Sequence, residues 1–203
     1  MRTVIDLIEK LKKDKISETI KDRMKEFYSF RKKSLEDIFR ELVFCILTAG
    51  TSAELGIKTI NHLGDTIFEG TQEDIQKKLK EVYRFHTLRA GYIYLAREAF
   101  SEIDFSSKTL REDLVKKIKG LGMKESSHFL RNVGLDDFAI IDFHIVDFLV
   151  KHKLIQPLRS KSLTPKKYLE IESILREISK RSKLSLGELD LYLWYFETGK
   201  VLK

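Results

Sequence analysis

At 203 residues with 42% hydrophobic content, the chain can bury a core as one compact domain or two small ones, which excludes a disordered tail. The net charge of +7 favours an acidic partner, nucleic acid first, over a cationic one. A single cysteine excludes an intramolecular disulfide and a four-cysteine iron–sulfur cluster. No leader and no membrane-length apolar run is apparent, so an intracellular, cytoplasmic protein without membrane contact is expected.

Only two prolines and ten glycines interrupt long stretches of 3.6-residue periodicity, which predicts an all-α fold. High charge with few Asn, Gln, Cys and Met resembles the composition of thermophile proteins. Residues 1–28 read as one or two charged amphipathic helices with Leu7, Ile8 and Leu11 on one face. The basic run Arg31-Lys32-Lys33 reads as a solvated linker, with phosphate contact as the alternative. Ser34 follows as N-cap of a helix over Leu35 to Thr48. The apolar density of that helix buries it, and Cys45 within it is a small buried hydrophobe.

Residues 53–80 read as two short helices around Gly64 and Gly70, with no chemistry. A helix from about Leu88 to Phe100 comes next, and around it aromatic and basic residues interleave: Tyr83, Arg84, Phe85, Arg89, Tyr92, Tyr94, Arg97. Arginine on phosphate with aromatics on bases is one way to hold unpaired bases. A buried helix with snorkelling arginines is the other reading, preferred for Tyr92 and Tyr94.

The stretch from 109 to 148 carries the chemistry. Leu110, Leu114, Val115 and Ile118 recur at helical spacing and run into Lys119-Gly120-Leu121-Gly122. Glycines take positive φ at no steric cost, so this tetrapeptide suits a tight hairpin. A second helix is predicted from about Met123 to Asn132, with Gly134 as its left-handed cap. Helix, hairpin, helix is a phosphate-binding device, because backbone N–H groups at the hairpin and the second helix start attract an anion. Lys124 falls in the first turn of that helix, where the dipole favours a free, nucleophilic amine. Asp142 follows the apolar run Phe138 to Ile141 as N-cap of a helix starting near Phe143. Taken singly, Lys124 reads as a surface lysine on phosphate and Asp142 as a plain cap.

Towards the end, Pro157 and Pro165 bracket a basic loop, Arg159 to Lys161, and Thr164 caps a helix to about Arg181 with Pro165 at its first position. A last helix, Leu186 to Phe196, holds the only tryptophan, Trp194. The five histidines show no pairing with cysteine or carboxylate that would make a metal site; His128 and His144 read as structural.

A G-x-G hairpin, a lysine two residues on and an aspartate eighteen residues later resemble the helix-hairpin-helix DNA glycosylase superfamily. The wording KGLGMKESSHFLRNVG…AIIDFHI, with LSLGELDLYLWYFETGKVLK at the end, is similar to its archaeal-type 8-oxoguanine DNA glycosylase/AP lyases. The resemblance implies two helical subdomains with a catalytic cleft between them: 34–133, with the motif at about 109–133, and 1–33 with 134–203. It implies Lys124 as Schiff-base nucleophile and Asp142 as its partner. Lys119, Gly120 and Gly122 then bind the DNA backbone, Phe85, Trp194 and the final Lys203 the base, and Arg84 the opposite strand. For Trp194, core packing stands as the alternative. In similar enzymes an Asn or Gln often occupies the corner at Gly50 and fills the gap left by a flipped base; glycine leaves nothing there to bond the orphaned partner. The expected activity is excision of 8-oxoguanine and β-elimination at the abasic site. The expected partner is double-stranded DNA, the protein a monomer, with no cofactor, although hairpin carbonyls could hold a monovalent cation. The alternatives are a glycosylase for another oxidised base and a non-catalytic DNA-binding module. The latter has no use for an amine–carboxylate pair.

Overall fold

A computed structural model describes residues 1–158, 160 and 162–202. The basic loop expected at Arg159 to Lys161 therefore lies partly, and Lys203 wholly, outside the described residues. Among the described residues the chain forms α-helices and no strand, in two units, 32–129 and 1–31 with 130–203.

The unit 32–129 is built on α3 (Leu35–Thr48). Leu42 to Leu47 are each at most 1% exposed, so the second half of this helix is buried on every side, whereas its first turn is exposed. It packs on α4 (Ala53–Leu63) and α7 (His86–Ser101), while α6 (Gln72–Val82) packs on α4 and α7. A chain of ring contacts, Phe68–Phe39–Phe100–Phe105–Phe129, runs through the same core. Each such buried ring or aliphatic side chain contributes about 1.5–3 kcal/mol of transfer free energy. Ser34 starts α3 as expected, accepting from Asp37 N–H at 3.1 Å. The glycines at 64 and 70 separate three helices where two were expected, because a single turn, α5 (Thr66–Glu69), forms between α4 and α6. Arg97 on α7 holds that turn, donating to the carbonyls of Thr66, Ile67 and Gly70. The motif itself is α8 (Leu110–Lys117), the hairpin, and α9 (Met123–Asn132).

In the unit formed by 1–31 and 130–203, α1 (Arg2–Leu11) packs on α11 (Pro165–Ser182) and α12 (Leu186–Thr198). Helices α2 (Ile16–Ser29) and α10 (Phe143–Lys151) also pack on α12. Val4, Ile8, Ile20, Phe27, Leu175 and Tyr192 fill the core. Thr164 and Pro165 start α11 as expected. Arg31, Lys32 and Lys33 are exposed as expected, but Arg31 is also anchored. Its guanidinium donates twice to the Gly134 carbonyl, at 3.1 and 2.5 Å, and packs on Tyr28. Gly134 has φ +87°, and Leu135 N–H reaches back to Leu130 O at 2.8 Å, so α9 ends in the left-handed cap. The described helices include none long and apolar enough to cross a membrane.

Candidate active site

Four of the expected residues share one hairpin. Gly120 has φ +95°, and a Cβ there would lie 2.3 Å from the Tyr92 ring, so a side chain is excluded on both counts. Tyr92 on α7 thus forms the floor of the turn. Gly122 does not need a left-handed backbone; it is the entry to α9, and its carbonyl accepts from Ser126 N–H at 2.9 Å. Its own N–H meets the Glu125 carboxylate at 3.3 Å. Leu121 N–H turns back to Ile118 O at 3.2 Å. The amides expected to be open to an anion are thus partly closed from within: a carboxylate of the chain stands at the helix start, where the dipole favours negative charge. Lys119 is exposed at the turn, whereas Lys117 donates to Glu102 O at 2.9 Å.

Lys124 is the second residue of α9. Its side chain is 27% exposed and its Nζ lies 3.7 Å from Glu125 Oε1. The ammonium is therefore held loosely beside a carboxylate, with part of its surface open to an incoming molecule.

A second cluster forms around the corner after α3. The carbonyls of Leu47, Ala49 and Gly50 are each taken by a side chain: Tyr83 Oη on Leu47 at 2.5 Å, Arg89 on Ala49 at 2.6 Å, Arg84 on Gly50 at 3.0 Å. Gly50 itself has φ +77°. Arg84 also lies flat against Phe85, its Cζ 4.3 Å from the ring centroid, and Phe85 is 37% exposed. Arg84 and Phe85 are one stacked unit anchored to the Gly50 corner, not two independent contacts. Tyr94 is 43% exposed with Arg97 over its ring, not buried as expected, because it lies with Leu95 on the solvent face of α7. Arg89 does not snorkel: it is 9% exposed, and its guanidinium is buried on the Ala49 carbonyl.

Asp142 and Trp194 belong to the other unit, at the start of α10 and in α12. Asp142 Oδ1 accepts from Ile145 N–H at 3.0 Å, which fixes the carboxylate at the helix start. Between them stands His144, its ring 4.0 Å from Phe143 and edge-on to Trp194 at 5.0 Å. His144 therefore ties the N-terminus of α10 to the indole. Trp194 is half-buried, and among the described residues its Nε1–H finds no acceptor. A buried donor without a partner is uncommon, and an acceptor from a bound molecule would satisfy it.

His144 is structural, as its sequence setting suggests, whereas the roles of Glu125 and Arg89 were not anticipated from the sequence. Only Glu125 left a local sign, as an acid three residues after Gly122 in the first turn of a helix. The described residues contain no group of three His, Cys, Asp or Glu arranged to hold a metal ion.

A family described as 8-oxoguanine DNA glycosylase matches residues 20–184. The 8-oxoguanine DNA glycosylase/AP lyases of Methanocaldococcus jannaschii and Korarchaeum cryptofilum are each 48% identical to the chain. The match covers 98% of the chain in both cases, and 99% and 98% of those proteins. The crystal structure of the M. jannaschii 8-oxoguanine glycosylase/lyase in complex with 15mer DNA containing 8-oxoguanine superposes with a TM-score of 0.92, covering 99% of this chain and 100% of that one. The Thermotoga maritima 8-oxoguanine DNA glycosylase, 36% identical, superposes with a TM-score of 0.91 over 100% of this chain and 99% of that one. A helix–hairpin–helix with a lysine in its second helix, matched along the whole chain at this identity, leaves one assignment: the chain belongs to the helix-hairpin-helix 8-oxoguanine DNA glycosylase family.

Proposed function

We propose that this chain is a bifunctional DNA repair enzyme that excises 8-oxoguanine from double-stranded DNA and then cleaves the strand by β-elimination. It acts inside the cell, as a monomer on DNA. The observation that carries the reading is Lys124, half-covered in the first turn after the hairpin and eighteen residues ahead of the α10 cap Asp142. It stands in a chain 48% identical to relatives named for that activity.

The hairpin at Lys119, Gly120 and Gly122 binds backbone phosphate, which positions the enzyme without reading sequence. The damaged nucleotide leaves the stack at a cost of a few kcal/mol. Phe85 and Trp194 offer it aromatic faces, Lys203 a polar contact, and Arg84 addresses the opposite strand. The Lys124 amine attacks C1′; the N–C1′ bond forms as the bond to the base breaks, and the base leaves with the electron pair and takes up a proton. Asp142 accepts the proton lost by the amine and offsets positive charge developing on the sugar. The sugar ring then opens as its C1′–O4′ bond breaks, leaving an imine. That imine acidifies the C2′ proton, whose loss expels the 3′ phosphate. Water finally hydrolyses the imine and frees Lys124.

Borohydride reduction on oligonucleotides that each carry one defined lesion tests this. Wild type should be trapped on the 8-oxoguanine duplex ahead of other lesions. Lys124→Gln should lose trapping and cleavage yet keep DNA binding. Efficient trapping of that variant would remove Lys124 from the nucleophile's role.

A further inference from the structure

The segment that delivers Asp142 is irregular, and among the described residues no strand runs beside it. Residues 135–142 belong to no helix, yet Ala139, Ile140 and Ile141 are 2, 7 and 3% exposed. Buried N–H and C=O groups must be paired, and outside a helix that pairing ordinarily comes from a sheet. Here one face of α11 supplies it. Tyr168, Glu172 and Arg176 are spaced four residues apart and so lie in one row on the helix. Tyr168 Oη donates to Ala139 O at 2.7 Å and accepts from Ile141 N–H at 3.1 Å. Glu172 Oε2 accepts from Ala139 N–H at 3.1 Å. Arg176 donates to Asp137 O at 3.0 Å and to Asp137 Oδ1 at 2.5 Å. The row acts as a side-chain substitute for a partner strand, and its innermost bond falls on the residue directly before Asp142.

We propose that Tyr168 is a positioning residue for Asp142: its buried hydroxyl fixes the register and peptide orientation of Ala139 to Ile141, and thereby where the Asp142 carboxylate stands at the start of α10. The proposal rests on the assignment of Asp142 above. Tyr168 is 3% exposed and Glu172 6%, so neither is open to DNA, and both act through the backbone. On its other side Asp142 is held by the start of α10, its carboxylate accepting from Ile145 N–H and its carbonyl from Val146 N–H at 3.1 Å. Without the hydroxyl, Ile141 N–H and Ala139 O lose this shared partner, and the segment can turn about its peptide planes while the cap still forms. A displacement of about 1 Å at a reacting group slows a reaction by roughly 100-fold.

The test is a double-mutant cycle on single-turnover excision, with affinity for an undamaged duplex and thermal melting measured beside it. Tyr168→Phe should slow excision by about 10- to 100-fold and leave duplex affinity unchanged. In an Asp142→Asn background the same change should add nothing, because there is no longer a carboxylate to misplace. A purely structural tyrosine would instead lower melting and slow both backgrounds equally, and that additivity overturns the proposal, as does wild-type excision by Tyr168→Phe. If Asp142→Asn alone excises at the wild-type rate, it is the Asp142 assignment that fails. Should Tyr168→Phe not fold, Glu172→Ala takes its place. It should slow excision, and Glu172→Gln, whose amide oxygen still accepts from Ala139 N–H, should restore most of the rate. A Glu172→Ala enzyme as fast as wild type overturns the proposal.

Discussion

At the scale of single residues, two carboxylates are placed by the same device and invite opposite consequences. Asp142 and Glu125 each accept a backbone N–H at the start of a helix. For Asp142 the bond is short, and an asparagine can make it too. Asp142→Asn should therefore fold and melt like wild type while excision falls by roughly 10²–10⁴-fold, the usual contribution of a positioned acid or base. Excision at the wild-type rate would reduce Asp142 to a cap. Glu125 sits where a phosphate oxygen would be welcome, at 3.3 Å from Gly122 N–H. Removing its charge opens that position to the anion. Glu125→Gln should tighten binding to undamaged duplex by about two- to fivefold, equivalent to roughly 0.3–1 kcal/mol at a helix terminus. Weaker binding would mean that the carboxylate organises the hairpin rather than competing with DNA.

At the scale of elements, α12 is the column against which its unit is assembled, and it holds a buried ion pair. Arg131 Nη1 meets Asp190 Oδ2 at 2.7 Å with the two side chains 3 and 11% exposed, and the same guanidinium lies over the Phe27 ring at 4.7 Å. A Cβ on Gly187 would press within 2.8 Å of Arg131, so α12 approaches closely only because glycine stands there. Removing Asp190 takes away the carboxylate that balances this buried charge, while Arg131 keeps its bond to Asn132 Oδ1 at 3.0 Å. Asp190→Ala should cost about 3–5 kcal/mol in denaturant unfolding. A loss well under that range would mean that the remaining partners of Arg131, or solvent, compensate its charge. The same helix carries a pH signature. Burial pushes Tyr192 up to about 12, with the nearby Glu188 and Glu9 acting the same way. Tyr28 on α2 is also pushed up to about 12, by burial and then by its 2.7 Å bond to Asp136. In the unfolded chain both ionise near the ordinary value of about 10. Below that pH neither form is ionised and the stabilisation is complete; between about 10 and 12 the unfolded state loses protons that the native state keeps, so stability falls as pH rises. Native-state titration of tyrosinate absorbance should include late ionisation of Tyr28 and Tyr192, and Tyr28→Phe should remove one late component. Two early, ordinary titrations would contradict the surroundings of these hydroxyls.

At the scale of the whole molecule, the net charge of +7 bears on binding rather than on the fold. Backbone-dominated binding releases counterions, so the logarithm of affinity should fall with the logarithm of salt at about −0.9 per phosphate neutralised. Lys119 is exposed at the hairpin, whereas Lys117 is occupied by the Glu102 carbonyl. Lys119→Ala should thus flatten the slope by about one phosphate, and Lys117→Ala by less. Equal effects of the two would show that the bond from Lys117 is released when DNA binds. A salt-insensitive affinity would contradict the whole scheme.

The sequence by itself determined what is decided within about four residues of chain. Ser34, Asp142 and Thr164 each cap the helix predicted for them, and Gly120 and Gly134 adopt the left-handed backbone that a turn and a helix end require. Lys124 in the first turn of α9 follows from the same local rules, as does its distance along the chain from Asp142. Tertiary structure alone decided which long side chains serve distant backbone. Arg31 reads locally as a linker residue, yet it binds a carbonyl 103 residues away. Arg97 creates the single-turn α5 that its own sequence does not announce, and Tyr168 and Glu172 stand in for a strand to a segment about thirty residues earlier. The physical reason is common to all of them. Backbone groups that neither helix nor sheet can pair must still be paired once buried, and only the packed structure reveals which are left over and which side chain can reach them.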